Sequence, residues 1–217
     1  MLTVSAKERT PLLDPGVYPA VCSMVLDLGT QYNATYNKSE PMVRLVWEIA
    51  GETVKIEGQE LPRLIFKDYT AYLCDRSNLF KALTSWRGKP FTPEELKNFD
   101  LANLLGACCL LQLIHKTSQR DNVYAAVENI MALPKGTAKL KPSKTVRFDL
   151  DDPETYVVFE TLPRYTQEKI AEAEEFGKTG LTLPERPVRG AAKAPDRPAC
   201  GDFEEIVTDD DDGDMAF

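Results

Sequence analysis

The sequence predicts a mostly β fold: a five-stranded barrel with one helix between its third and fourth strands, then a small strand-and-helix appendage and an acidic tail. Two observations lead there. Three strand-like stretches come first, then one well-punctuated helix, then two more strand-like stretches. Beyond about residue 179 the apolar period stops, and Pro, Gly and acids take over.

Pro15-Gly16 marks a turn, and residues 17–28, rich in Val, Tyr, Leu and Met with Asp27 the one charge, read as a long first strand. Residues 29–41 are polar and turn-forming. Residues 42–49 place Val43, Leu45, Trp47 and Ile49 on one face and Arg44 and Glu48 on the other, a half-buried second strand with Arg44 outward. After turns around Gly51 and Gly58, residues 64–73 form a third strand. Ile65, Lys67, Tyr69 and Ala71 share one of its faces, and Phe66, Asp68, Thr70 and Tyr72 the other. The next segment is a helix: Ser77 caps it, Leu79, Phe80, Leu83 and Trp86 form its apolar stripe, and Gly88 with Pro90 ends it. Thr92-Pro93-Glu94-Glu95 is a capping box that opens a short second helix. Residues 107–116 and 122–132 are two further strands, joined by a polar loop that contains Arg120.

Three strands, a helix and two strands is the order of an OB-fold. Trp47 and Trp86 lie on the apolar faces of their elements and belong to its core. Residues 135–144 form a basic connector with Lys135, Lys139, Lys141 and Lys144, residues 145–150 alternate like a short extra strand, and Pro163 opens a helix running to about Phe176. The expected division is a barrel over residues 1–144, an appendage packed on it over 145–178, a flexible linker over 179–208 and a tail over 209–217.

Charge is distributed unevenly along this plan. From Asp202 onward there are eight acids and no Lys or Arg; without them, 26 of the 34 acids remain against 26 bases, so the net charge of −8 resides in the tail. The body is electrically balanced, and a basic face on it is compatible with the acidic bulk composition. The first ten residues carry Lys7, Glu8 and Arg9 with no apolar core, unlike a signal peptide. The longest apolar stretch, residues 104–114, is far below the roughly 20 residues that cross a bilayer. Five cysteines form no C-x-x-C pair, and His115 is the single histidine. Zinc spacing is therefore absent, and the expectation is reduced, buried thiols with Cys200 the exposed exception.

The tail, Asp209, Asp210, Asp211, Asp212, Gly213, Asp214, Met215, Ala216 and Phe217, is the strongest motif. An acidic run alone serves solubility, but an aromatic at its tip adds an anchor for an apolar pocket beside a basic patch, the chemistry of a docking peptide. It is not a calcium loop, because Thr208 stands where an Asp is needed and no Glu follows at the twelfth place. An OB barrel that binds nucleic acid needs rings for base stacking and cations along a groove. Tyr32 and Tyr36 in the loop after strand one, Arg44 on strand two, Lys67 and Tyr69 on strand three, and Lys116, Arg120 and Tyr124 around the last hairpin fill those roles. Singly, each also reads as an ordinary surface cation or strand tyrosine. No G-x-S-x-G, P-loop or G-x-G-x-x-G occurs, and the cluster Asp149, Asp151, Asp152, Glu154 reads as a turn, with a nuclease Mg²⁺ site as the alternative.

Residues 15–31, 77–99, 148–152 and 162–170 resemble the single-stranded DNA-binding proteins of bacteriophages and prophages. The resemblance spans roughly residues 12–176 and implies an OB-fold and sequence-tolerant strand binding in phage replication or recombination. The C-terminus is similar to the tails of bacterial and phage single-stranded DNA-binding proteins, which end in acids and a terminal Phe. Met215-Ala216 stands where the bacterial type has a bulky aliphatic and a proline. The expectation is thus a non-enzymatic, cofactor-free protein of the bacterial host cytoplasm, with single-stranded DNA and tail-bound replication or recombination proteins as partners and room for a homo-oligomer. An adaptor without DNA affinity and a Mg²⁺-dependent nuclease are the alternatives.

Overall fold

A computed structural model describes residues 11–34, 37–56, 58–97, 99–118 and 121–184. The fold is mostly β: six strands in one sheet, β1 (Gly16–Asn33), β2 (Lys38–Ile56), β3 (Gln59–Thr70), β4 (Cys108–Thr117), β5 (Val123–Ala132) and β6 (Val146–Phe148). The order is β3-β2-β1-β4-β5, antiparallel throughout, with β6 added parallel to β1 at Met24–Leu26.

β1 holds the sheet together because it changes partners along its length. Its first half pairs with β4 from Gly16 to Val21, and its second half pairs with β6. Irregularities in its pairing with β2, between Cys22 and Met24 and between Asp27 and Gly29, bend it between the two. Gly29 is required at the second: its φ is +67°, and a Cβ there would lie 2.6 Å from both Ala173 Cβ and Leu150 Cδ1.

The local punctuation read from the sequence is present. In α1 (Asn78–Arg87) the Ser77 hydroxyl accepts from Phe80 N at 3.1 Å, and Gly88 closes the helix in the left-handed conformation. At α2 (Pro93–Lys97) Glu95 N donates to Thr92 Oγ1 and Thr92 N donates to the Glu95 carboxylate, the reciprocal capping box. α1 turns Leu79, Leu83 and Trp86 onto the sheet, where Trp86 meets Trp47 at 5.9 Å between ring centroids and donates Nε1–H to Cys108 O. This core also takes in Val43, Leu45, Ile49, Ile65, Tyr69, Leu111, Leu113, Val127 and Ile130. The outer strands β3 and β5 approach each other, and Lys67 Nζ donates to Val127 O at 3.0 Å across that gap.

A second core lies on the opposite face of β1 to β3. Residues 146–181 cover that face with β6, α3 (Tyr156–Phe159), α4 (Arg164–Ala171) and α5 (Phe176–Thr179). Phe148, Phe159, Leu162, Ile170 and Ala173 pack on Leu26, Leu28 and Val46, and Phe159 lies 5.9 Å from Phe148 and 5.8 Å from Phe176. Each buried Leu, Ile, Val or Phe side chain among these contributes roughly 1.5–3 kcal/mol. The single helix expected from Pro163 to about Phe176 is in fact α4 and α5 separated by a turn at 172–175. That turn lets Glu174 N donate to Thr30 O and brings the Glu175 carboxylate to the backbone N–H (2.9 Å) and hydroxyl of Thr30. The end of β1 is thereby fastened to the appendage.

Two further expectations need correcting. β2 is buried on both faces rather than one, because the second core covers the face carrying Arg44 and Val46. Cys74 is exposed and Cys108 half-buried, so among the described residues only Cys22 and Cys109 are sequestered thiols. Burial pushes the Cys22 thiol up to about 12, and Cys109 moves in the same direction for the same reason. Cys200 lies outside the described residues.

Candidate nucleic-acid interface

Arg44 does not face solvent. The residue is 4% exposed; Nε and Nη2 donate to the two carboxylate oxygens of Asp68 at 2.6 and 2.7 Å, and Nη1 donates to Thr166 Oγ1 at 3.0 Å. Its guanidinium lies 4.1 Å from the centroid of Phe66, whose ring stacks on Tyr165 at 5.7 Å. Desolvation there also pushes the Tyr165 hydroxyl above its ordinary range. The outward face of β2 and β3, where sequence reasoning placed a strand-contacting cation, is therefore occupied by α4. Alternation along β2 separates its two faces correctly but carries no information about what covers each.

The other β3 residues also sit differently from expectation. Tyr69 is 4% exposed and belongs to the first core, and half-buried Lys67 lies 5.6 Å from the Tyr69 ring and ties β3 to β5. The ring that β3 presents to solvent is Tyr72, 46% exposed, just past the strand's end. Ala71 N donates to Pro41 O at 2.7 Å, so the exit of β3 lies beside the start of β2. Tyr32, 60% exposed, pairs in register with Ser39, and its neighbour Asn33 with Lys38. Tyr32 Oη donates to Asn37 Oδ1 at 2.7 Å, which holds the phenol while leaving the ring open. Two open rings and the Lys38 ammonium, paired with Glu40, therefore gather at one end of the sheet. Next to Tyr72 lies an open cleft of ≈ 490 Å³ lined by Ala71, Leu73, Leu96, Lys97, Phe99 and Asp100.

At the last hairpin, Lys116 and Tyr124 are direct cross-strand partners and so share a face, with Lys116 Nζ 3.7 Å from Glu128. A pair of that length at the surface is worth little. Tyr36, Arg120 and the tail residues Asp209, Asp210, Asp211, Asp212, Asp214 and Phe217 lie outside the described residues. In the acidic cluster, Arg147 reaches Asp149 at 2.8 Å and Asp152 at 3.3 Å, while Asp149 and Asp152 accept from backbone N–H groups of their own turn. Asp149 and Asp152 thus build the turn into α3.

Sequence reasoning passed over Lys38 and Tyr72. A ring just beyond a strand's last paired residue was the available signal, since nothing in the sheet remains to cover it. Among the described residues no helix is long and apolar enough to cross a membrane. No protein-family model matches the chain, and no curated protein matches it.

Proposed function

We propose that the protein is a non-enzymatic single-stranded DNA-binding protein of OB type that coats exposed strands during phage replication or recombination in the host cytoplasm. The observation that carries this reading is the pair of open rings, Tyr32 and Tyr72, beside Lys38 at one end of the sheet. Every base has a π-face, so two open rings with a cation nearby bind strands without regard to sequence. The strand path β3-β2-β1-β4-β5, with α1 between β3 and β4 and Lys67 linking the outer strands, supports an OB barrel. Lys116 and Tyr124, paired across β4 and β5, add a second ring-and-cation pair on the last hairpin. The acidic tail, ending in Phe217, recruits replication or recombination proteins and, when no DNA is bound, competes for the same cations.

Fluorescence anisotropy of purified protein with oligo-dT, a duplex and an RNA of equal length, with and without Mg²⁺, tests the reading. Tight binding to the single strand without cleavage is expected. Tyr32→Ala and Tyr72→Ala each should weaken it on the order of tenfold, given roughly 1–3 kcal/mol per stacked base. A wild-type protein that ignores oligo-dT in dilute buffer but still captures partners through its tail is the adaptor, and Mg²⁺-dependent cleavage identifies the nuclease.

A further inference from the structure

The connector between β5 and β6 is more than a link. Residues 133–145 contain Lys135, Lys139, Lys141 and Lys144 and no acid, and all four lysines are exposed. Among the described residues none of the four makes an ion pair. Seven other cations, Lys38, Arg44, Arg87, Lys116, Arg147, Arg164 and Lys169, have carboxylate partners, and what sets the connector apart is that it gathers four lysines with no acid among them. The segment is also fastened to the sheet. Ser143 donates from both its backbone N (2.9 Å) and its hydroxyl (3.0 Å) to Oε2 of the buried Glu48 on β2. Near its middle, Leu140 O accepts from Cys108 Sγ on β4 at 3.3 Å. Between those anchors the chain passes over β1, the strand paired with both β2 and β4.

We infer that this strap is the main phosphate track of the protein, four lysines on a fastened backbone that bind the sugar-phosphate chain of single-stranded DNA. Resting on the single-strand reading above, the inference relocates the principal cationic contacts. The β2–β3 face is closed by α4 and its arginine is committed to Asp68, so the strand's charge is met on the strap. Two features favour the strap over an ordinary solvated run of lysines. Its cations have no carboxylate to release before they meet phosphate, and its backbone is already ordered, so binding forfeits little conformational freedom. Fixed cations release the counterions condensed on the strand, a term worth about fivefold per contact at 0.1 M salt for single strands.

The test compares three full-length proteins by anisotropy with fluorescent oligo-dT between 50 and 300 mM salt. They are wild type, the fourfold Lys→Ala variant at 135, 139, 141 and 144, and the fourfold Lys→Arg variant; circular dichroism confirms that each is folded. The Ala variant should bind at least about tenfold more weakly at 0.1 M salt. Its slope of log K against log salt should fall by up to roughly 2.8, which is 0.7 for each lost contact. The Arg variant should keep affinity and slope. Wild-type binding with an unchanged or tightened Ala variant overturns the strap while leaving the single-strand reading intact, as would be seen if these lysines hold only the acidic tail. Equal loss in the Arg variant overturns the charge argument, and a wild-type protein without oligo-dT affinity overturns both.

Discussion

Arg44 offers the sharpest separation between structure and sequence expectation, because a buried strut and a strand-binding cation respond oppositely to its removal. Arg44→Ala would delete two charge-assisted bonds to Asp68, one bond to Thr166 and the guanidinium packed on Phe66. It would also strand the Asp68 carboxylate, whose side chain is only 12% exposed, without a counter-charge. Breaking one side of a buried pair in this way costs about 3–5 kcal/mol. For a chain of this length that corresponds to a fall in Tm on the order of 10 °C. Replacing both partners with apolar residues of similar volume, Arg44→Met with Asp68→Leu, should recover most of the loss, since two desolvation penalties vanish together. Urea unfolding followed by circular dichroism reads the stability, and oligo-dT anisotropy at a temperature where each variant is folded reads the binding. The expected result is a destabilised Arg44→Ala protein whose affinity, once folded, matches wild type. An Arg44→Ala protein that unfolds at the wild-type urea concentration yet binds DNA more weakly would refute the reasoning.

Two other perturbations probe the seam between the sheet and residues 146–181. Gly29→Val should destabilise by about 2–4 kcal/mol in urea, because a left-handed β-branched residue is strained and its Cβ would overlap Ala173 and Leu150; Gly51→Val, also at positive φ (+77°) but facing open space, should cost clearly less, and equal losses would mean that the close approach at Gly29 is unimportant. The Thr30 bonds hold the Glu175 carboxyl below its ordinary range, so its contribution is present above that range and is lost as pH falls through the lowered value. Asp27, pushed up by burial beside the same turn, acts in the opposite sense, so the informative quantity is the difference between wild type and Glu175→Gln. That difference in urea midpoint should shrink toward zero between pH 7 and pH 3, and a constant difference would contradict the assignment.

What was legible in the sequence was local. The Ser77 cap, the Thr92 to Glu95 capping box, the Gly88 stop and the order of five strands around α1 depend on neighbours a few residues apart, and all are present in the structure. What was not legible was partnership between distant segments. Arg44 and Thr166 are 122 residues apart, and Thr30 and Glu175 are 145 apart, and no pattern within either segment announces the other. Tyr69 was assigned to the wrong environment, and Tyr72 was passed over, for a related reason. Strand alternation placed Tyr72 on the opposite face from Tyr69, but not that the sheet ends before Tyr72 and the core closes over Tyr69.

The amino-acid sequence by itself determined the order of the first five strands and α1, where α1 starts and stops, that the body is electrically balanced, and that the net negative charge sits in the C-terminal segment. These follow from backbone propensity and composition, which need no third dimension. The tertiary structure alone decided which cations are committed and which stay open to a ligand. The cost of burying a charge forces the covered Arg44 to take a carboxylate, while the four exposed connector lysines do without one.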